Sequence, residues 1–178
     1  MNTTSVYTSA RVFPMLPERL CTDLTSLNPD EDRLALVTEM VFSGDGMLVH
    51  ALSYRALVRN KAQLAYDAVS AWIVGEGDLP EPARRVPGMA TQLRLQDELA
   101  QKLRVLRRAE GSLEFETFQP RAQFKGDRIS EIRQQEQNRA RQLIEEFMIA
   151  TNGCTAHFLA RHGRASLRRV VRSPERWQ

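Results

Sequence analysis

Apolar and polar positions change period several times along the chain, and each change marks an element. Residues 34–42 (LALVTEMVF) and 47–58 (MLVHALSYRALV) are two apolar, partly β-branched runs separated by SGDG. Asp-Gly in a short polar gap predicts a β-hairpin. In NKAQLAYDAVSAWIVGEG, residues 60–77, Leu64, Ala68, Val69 and Trp72 recur at helical spacing until Gly75 and Gly77 interrupt it. A loop carrying Pro80, Pro82 and Pro87 follows, and then a long basic amphipathic helix over 89–109, ended by Gly111. LEFETF and RAQF predict two short strands, and Gly126-Asp127 turns the chain into a further strand, RISEI. A last helix is expected from about 134 to 161. Its apolar stripe is Ala140, Leu143, Ile144, Phe147, Met148, Thr151, Cys154 and Phe158. Strands and helices alternate without a strict βαβ rhythm, so the expected class is α+β or mixed α/β.

Composition narrows this picture. With 178 residues, 42% apolar and 26% charged, the chain suits one globular domain or a large part of one. No apolar run reaches the length of about 20 residues that a bilayer span requires. Cys21 and Cys154 lack metal-ligand spacing and read as two reduced thiols of a cytoplasmic protein. Positive charge gathers in two places: residues 84–110 hold seven basic and three acidic side chains, and residues 161–178 hold six arginines against Glu175 alone. Such surpluses allow a polyanionic partner and also suit ordinary solvated helices.

Direct signs of catalysis are few. There is no Gly-rich phosphate loop, no nucleophile elbow and no paired histidines at metal spacing, and His50, His157 and His162 make no triad in sequence. Asp30, Glu31 and Asp32 follow Asn28-Pro29; such a cluster suits a hard cation, but acids after Asn-Pro more often occupy a turn and face water. On the last helix Asn138, Arg141, Glu145 and Asn152 share one flank, which suits either an extended ligand or a solvated face. Tyr7, Tyr66 and Phe115 offer flat faces on which bases can stack, or serve as core.

In order, SVY, PMLPERL, SLNPDEDRLALV, the GDG hairpin, NKAQLAYDAVSAW, GSLEFET and RISEIRQQEQNRARQLIEEFMIATN resemble the RNB catalytic domain of the ribonuclease II and ribonuclease R exoribonucleases, from Ser5 to about Phe158. The resemblance implies a magnesium-dependent hydrolase that removes nucleotides 3′→5′ from single-stranded RNA threaded through a narrow channel. By the same resemblance, Tyr7 packs on the terminal base and Tyr66 contacts RNA near the cleavage point. Phe115 is a second stacking ring, and Glu145, the first acid of LIEE, contacts the RNA backbone. Pro14 and Pro17 fix φ and remove backbone donors, so their segment is expected to run extended or turn without joining a sheet centre; by the resemblance it lies beside the channel and holds Tyr7 in place.

The family's aspartate cluster for magnesium lies ahead of the segment matching Ser5, and its arginine motif lies beyond the segment matching Gln178. The expectation is therefore a central, partial RNB domain with no catalytic or metal-binding residue of its own. It would be inactive alone, expose apolar surface, and pair with neighbouring domains or a complementary fragment. A non-catalytic RNA-binding or partner-binding module on the same scaffold is the alternative.

Overall fold

A computed structural model describes residues 4–8, 11–112, 120–126, 128–134 and 138–168. In it, helices and antiparallel strand pairs mix as an α+β fold. A small ribbon pairs β1 (Val6–Tyr7) with β2 (Val12–Phe13), Tyr7 lying opposite Val12. The Met15 amide donates to Ser5 Oγ at 2.9 Å, tying the proline segment back to this ribbon. Pro17 starts a wide helical turn over Leu20–Leu24, its carbonyl accepting from the Leu20 and Cys21 amides.

The predicted hairpin is the largest strand element: β3 (Asp32–Phe42) pairs antiparallel with β4 (Leu48–Arg59). Its tip is fixed by Gly46, at φ +91°, where an added Cβ would lie 3.0 Å from Lys102 Cβ. Lys102 Nζ also donates to the Gly44 carbonyl at 2.9 Å. The tip is thus clamped on a helix nearly sixty residues away. At the other end, Leu34 and Leu57 face each other across the strands with Leu36 beside them, and they are 86%, 64% and 71% exposed. Alternation placed these leucines on one face, and nothing described here covers it.

Helix α1 (Tyr66–Val74) starts later than its sequence period predicts. Asn60 explains the delay: its Oδ1 accepts from the Ala62 amide and its Nδ2 donates to the Leu27 carbonyl, which holds residues 61–65 out of the helix. Leu64 still packs on the core from this extended stretch. The proline loop contains one helical turn, α2 (Glu81–Arg84), and α3 runs over Met89–Ala109 as expected. β5 (Pro120–Lys125) and β6 (Arg128–Gln134) form the third antiparallel pair, containing RAQF and RISEI. LEFETF lies outside the described residues.

Helix α4 (Arg139–Arg161) begins at the Asn138 cap, about five residues beyond the expected start. Its stripe also differs from the expectation. Ala140, Leu143 and Cys154 are buried, whereas Ile144, Met148 and Phe158 are exposed. The buried line passes through Glu146 instead, because that carboxylate is drawn against α3 by an arginine. The core is small: Val69, Ala83, Leu93 and Ala140, flanked by Leu64, Trp72, Ile73, Leu79 and Met89. Two ion pairs staple α3 to α4. Arg139 forks onto Asp97 at 2.6 and 3.0 Å, and Arg107 forks onto Glu146 at 2.6 and 3.1 Å. Both pairs advance in the same sense, so the two helices run roughly parallel. Among the described residues no helix is long and apolar enough to cross a membrane.

Candidate functional site

The best-organised polar constellation forms where α1 and α4 both begin. Ala65 is extended, so Tyr66 is the first residue of its helix, 44% exposed, with Asp67 beside it in the same turn. Asn138 caps α4 by accepting from the Arg141 amide at 3.0 Å, and its Nδ2 donates to Asp67 Oδ1 at 2.8 Å. One side chain therefore ends one helix and ties it to the other. The Arg139 amide donates to Ser70 Oγ at 3.2 Å, adding a second link.

This double attachment sets Arg141, whose guanidinium carbon lies 4.9 Å from the centroid of the Tyr66 ring, in cation–π range. Arg141 Nη2 also lies 3.9 Å from Asp67 Oδ1. Arg139, two residues earlier, is held by Asp97; that hydrogen-bonded carboxylate raises the affinity of the guanidinium for its proton, with partial burial opposing. The start of α4 is thus fixed by a cap, a fork and a ring contact.

Glu145 lies one turn beyond Arg141, on the same side of α4, and is exposed. Its neighbour Glu146 has the opposite character, 3% exposed and claimed by Arg107. Of the residues singled out by sequence, the structure brings Tyr66, Asn138 and Arg141 into contact and sets Glu145 next to them. Asn152 lies further along and lines a shallow hollow with Ile144, Phe147, Met148 and Thr151. Tyr7 is 77% exposed on the β1–β2 ribbon. Among the described residues no hydrogen bond, ion pair or ring contact links it to Tyr66 or Glu145. Phe115 lies outside the described residues. Asp67 was not singled out, because its partners lie about seventy positions away.

The acids that could attract a cation are already matched. Asp30 lies 3.6 Å from Lys61, Glu31 pairs with Arg33, and Asp32 lies 2.6 Å from Arg59, whose hydrogen bond holds the Asp32 carboxyl below the usual aspartate range. Among the described residues no three of His, Cys, Asp or Glu converge on a point that a metal ion could occupy. The residues described do not fit a magnesium centre.

The family profile described as "RNB domain" matches residues 1–178. The chain belongs to the RNB family. Ribonuclease R of Vibrio parahaemolyticus is 36% identical to this RNB chain over 171 residues, covering 96% of the chain and 20% of that protein. Exoribonuclease 2 of Cronobacter sakazakii is 35% identical over 152 residues, 83% of the chain and 23% of that protein. The fold also matches Mycoplasma genitalium RNase R in complex with ribose methylated single-stranded RNA, with a TM-score of 0.79 and 25% identity, over 90% of this chain and 25% of that one. The same enzyme in complex with double-stranded RNA gives a TM-score of 0.81 over 92% of this chain. This RNB chain spans about a fifth of the length of the curated ribonuclease R proteins it matches.

Proposed function

We propose that the chain is part of a 3′→5′ exoribonuclease domain and supplies one wall of a single-stranded RNA path. The observation that carries this reading is the half-exposed Tyr66 ring with the Arg141 guanidinium against it, beside exposed Glu145. A ring can stack a base, and a guanidinium matches a phosphate through its planar donors. Tyr7 and Phe115 are proposed as further stacking residues on the same path, with Glu145 as the backbone-contacting acid. In the complete protein, magnesium would activate water for hydrolysis, held by acids other than those described here.

The exposed leucines Leu34, Leu36 and Leu57 support a partner for the hairpin face, namely the remainder of such a catalytic domain. Two free thiols suit a cytoplasmic setting. The purified chain, given 3′-labelled single-stranded RNA and Mg2+, should bind RNA in a salt-sensitive way without releasing nucleotides. Tyr66→Ala should weaken that binding by about five- to a hundredfold, the loss of one stack. Affinity indifferent to both Tyr66 and salt would refute the RNA-wall role.

A second reading is a non-catalytic RNA-binding or partner-binding module on the same scaffold, which needs the Tyr66–Arg141 wall and no metal centre. Adding the complementary part of a ribonuclease R catalytic domain in trans separates the two. Restored nucleotide release supports the exoribonuclease reading, and binding that never becomes cleavage supports the module.

A further inference from the structure

The three histidines of the chain, scattered in sequence, all line one groove. His50 comes from β4, His157 from the C-terminal half of α4 and His162 from the cap just beyond it, around a cavity of about 460 Å³. Arg161 joins them, Leu52 and Phe158 supply apolar wall, and no carboxylate is among the lining residues. His50, His157 and Arg161 make no hydrogen bond or ion pair among the described residues, so their polar atoms remain available to a ligand. His162 is oriented differently, with Nδ1 2.8 Å from the Phe158 carbonyl and its ring 4.3 Å from the Phe158 ring centroid. That contact fixes a pair of flat faces at one side of the groove, with Phe158 still 41% exposed. Among the described residues no three His, Cys, Asp or Glu side chains converge on a point that a metal ion could occupy, so the ligand is sought among small organic anions. It offers nitrogen donors without competing acids, next to aromatic surface, in a volume suited to a small molecule.

We propose that this groove binds a free nucleoside monophosphate: the phosphate on Arg161 with His50 and His157, and the base against the Phe158–His162 pair. The site is separate from the Tyr66–Arg141 constellation. Sixteen residues of helix separate Arg141 from His157, roughly 24 Å along α4. The inference does not depend on the RNA-wall reading, since it uses none of the same side chains.

The experiment titrates the purified full chain with adenosine 5′-monophosphate while following histidine ring signals by NMR. Parallel arms use inorganic phosphate, adenosine and a short single-stranded RNA with hydroxyl ends. Saturable shifts of the histidine signals with the monophosphate are expected, at dissociation constants on the order of 1 mM or below. Phosphate alone and adenosine alone should each bind at least about tenfold more weakly, because each keeps only half of the contacts. Arg161→Gln should weaken monophosphate binding by about tenfold or more through the lost charge-assisted hydrogen bonds, while leaving Tyr66-dependent RNA binding unchanged. His50→Gln, on a strand rather than the helix, gives an independent variant, and unchanged thermal unfolding confirms that each variant is folded. Three results would overturn the proposal: no saturable shift with the monophosphate, affinity unaffected by Arg161→Gln in folded protein, or shifts produced by the RNA and not by the monophosphate.

Discussion

Glu145 and Glu146 are adjacent acids in different surroundings, the first exposed and proposed to meet RNA, the second buried in an ion pair, and substituting each to glutamine separates them. Both Glu146 oxygens are taken by Arg107, through Nη2 at 2.6 Å and Nε at 3.1 Å, and the carboxylate is only 3% exposed. Arg107 also donates to Ser112 Oγ at 2.6 Å, so the pair ties α4 to the end of α3 and the turn beyond it. Glu146→Gln keeps the shape but leaves a guanidinium facing a neutral amide with a single acceptor. Breaking one side of a buried ion pair costs about 3–5 kcal/mol. Because Arg107 is itself 20% exposed and retains Ser112, the lower end, about 3 kcal/mol, is expected here.

For a chain of this size each kcal/mol lowers Tm by about 2–4 °C, so the expected loss is roughly 6–12 °C. Glu145→Gln removes an exposed charge and should stay within about 0.5 kcal/mol of the parent protein. Urea unfolding followed by circular dichroism measures both. RNA binding, measured well below the melting temperature, should respond in the opposite order and fall for Glu145→Gln only. The double change Arg107→Met with Glu146→Leu should recover most of the lost stability, as apolar replacement of a whole buried pair usually does. Equal destabilisation by the two single substitutions, or a stable Glu146→Gln, would refute the division of roles.

Three further outcomes follow from the hairpin. Gly46→Ala combines φ +91° with a Cβ 3.0 Å from Lys102 Cβ, and should cost more than about 1 kcal/mol in urea unfolding. The Asp45 carboxyl is held low by the Ser43 hydroxyl and the Met47 amide, and Asp32 by Arg59. Folded values below unfolded ones stabilise the β3–β4 hairpin above the unfolded value of about 3.9, and that contribution disappears as pH falls through the folded values. Protection of the Met47 amide from hydrogen exchange, taken relative to its intrinsic exchange rate at each pH, should therefore fall on acidification below about pH 4, and Asp45→Asn should flatten the response. Leu36→Lys, at a position 71% exposed, should leave stability within about 0.5 kcal/mol and raise solubility, read by thermal unfolding and by light scattering.

Sequence reading succeeded where one local period dominates. Alternation on both sides of SGDG predicts the β3–β4 hairpin, and Gly111 marks where α3 stops. It failed where a polar side chain overrides the local pattern. Lys61–Ala65 fit the helical period, yet the two hydrogen bonds of Asn60 keep them extended. Ile144, Met148 and Phe158 fit the apolar stripe of α4, yet the forks to Asp97 and Glu146 set the helix's rotation and turn them outward. Those partners are about forty positions apart, and hydropathy carries no trace of such pairing. The α1–α4 constellation was legible in part, since Tyr66, Asn138, Arg141 and Glu145 each stood out. Their convergence depends on Asp67, an ordinary surface acid by sequence. The shared groove of His50, His157 and His162 left no signal at all, because it arises only from β4 lying along α4.

The same pairs bear on how the proposed RNA wall would work. A long arginine side chain has up to about 2 kcal/mol of rotamer entropy to lose when it meets a phosphate. Here much of that ordering is already complete. The Asn138 cap fixes the first turn of α4, the Asp97 fork fixes Arg139, and the Tyr66 face restrains Arg141 before any ligand arrives. Preorganisation of this kind raises affinity without adding contacts. Its proposed part is to bind, and the chemistry is assigned on that proposal to residues elsewhere in the complete domain. On the proposed reading, a wall built this way would hold a strand in register for a reaction centre formed by other residues, and binding and cleavage should then separate cleanly when this chain is assayed alone.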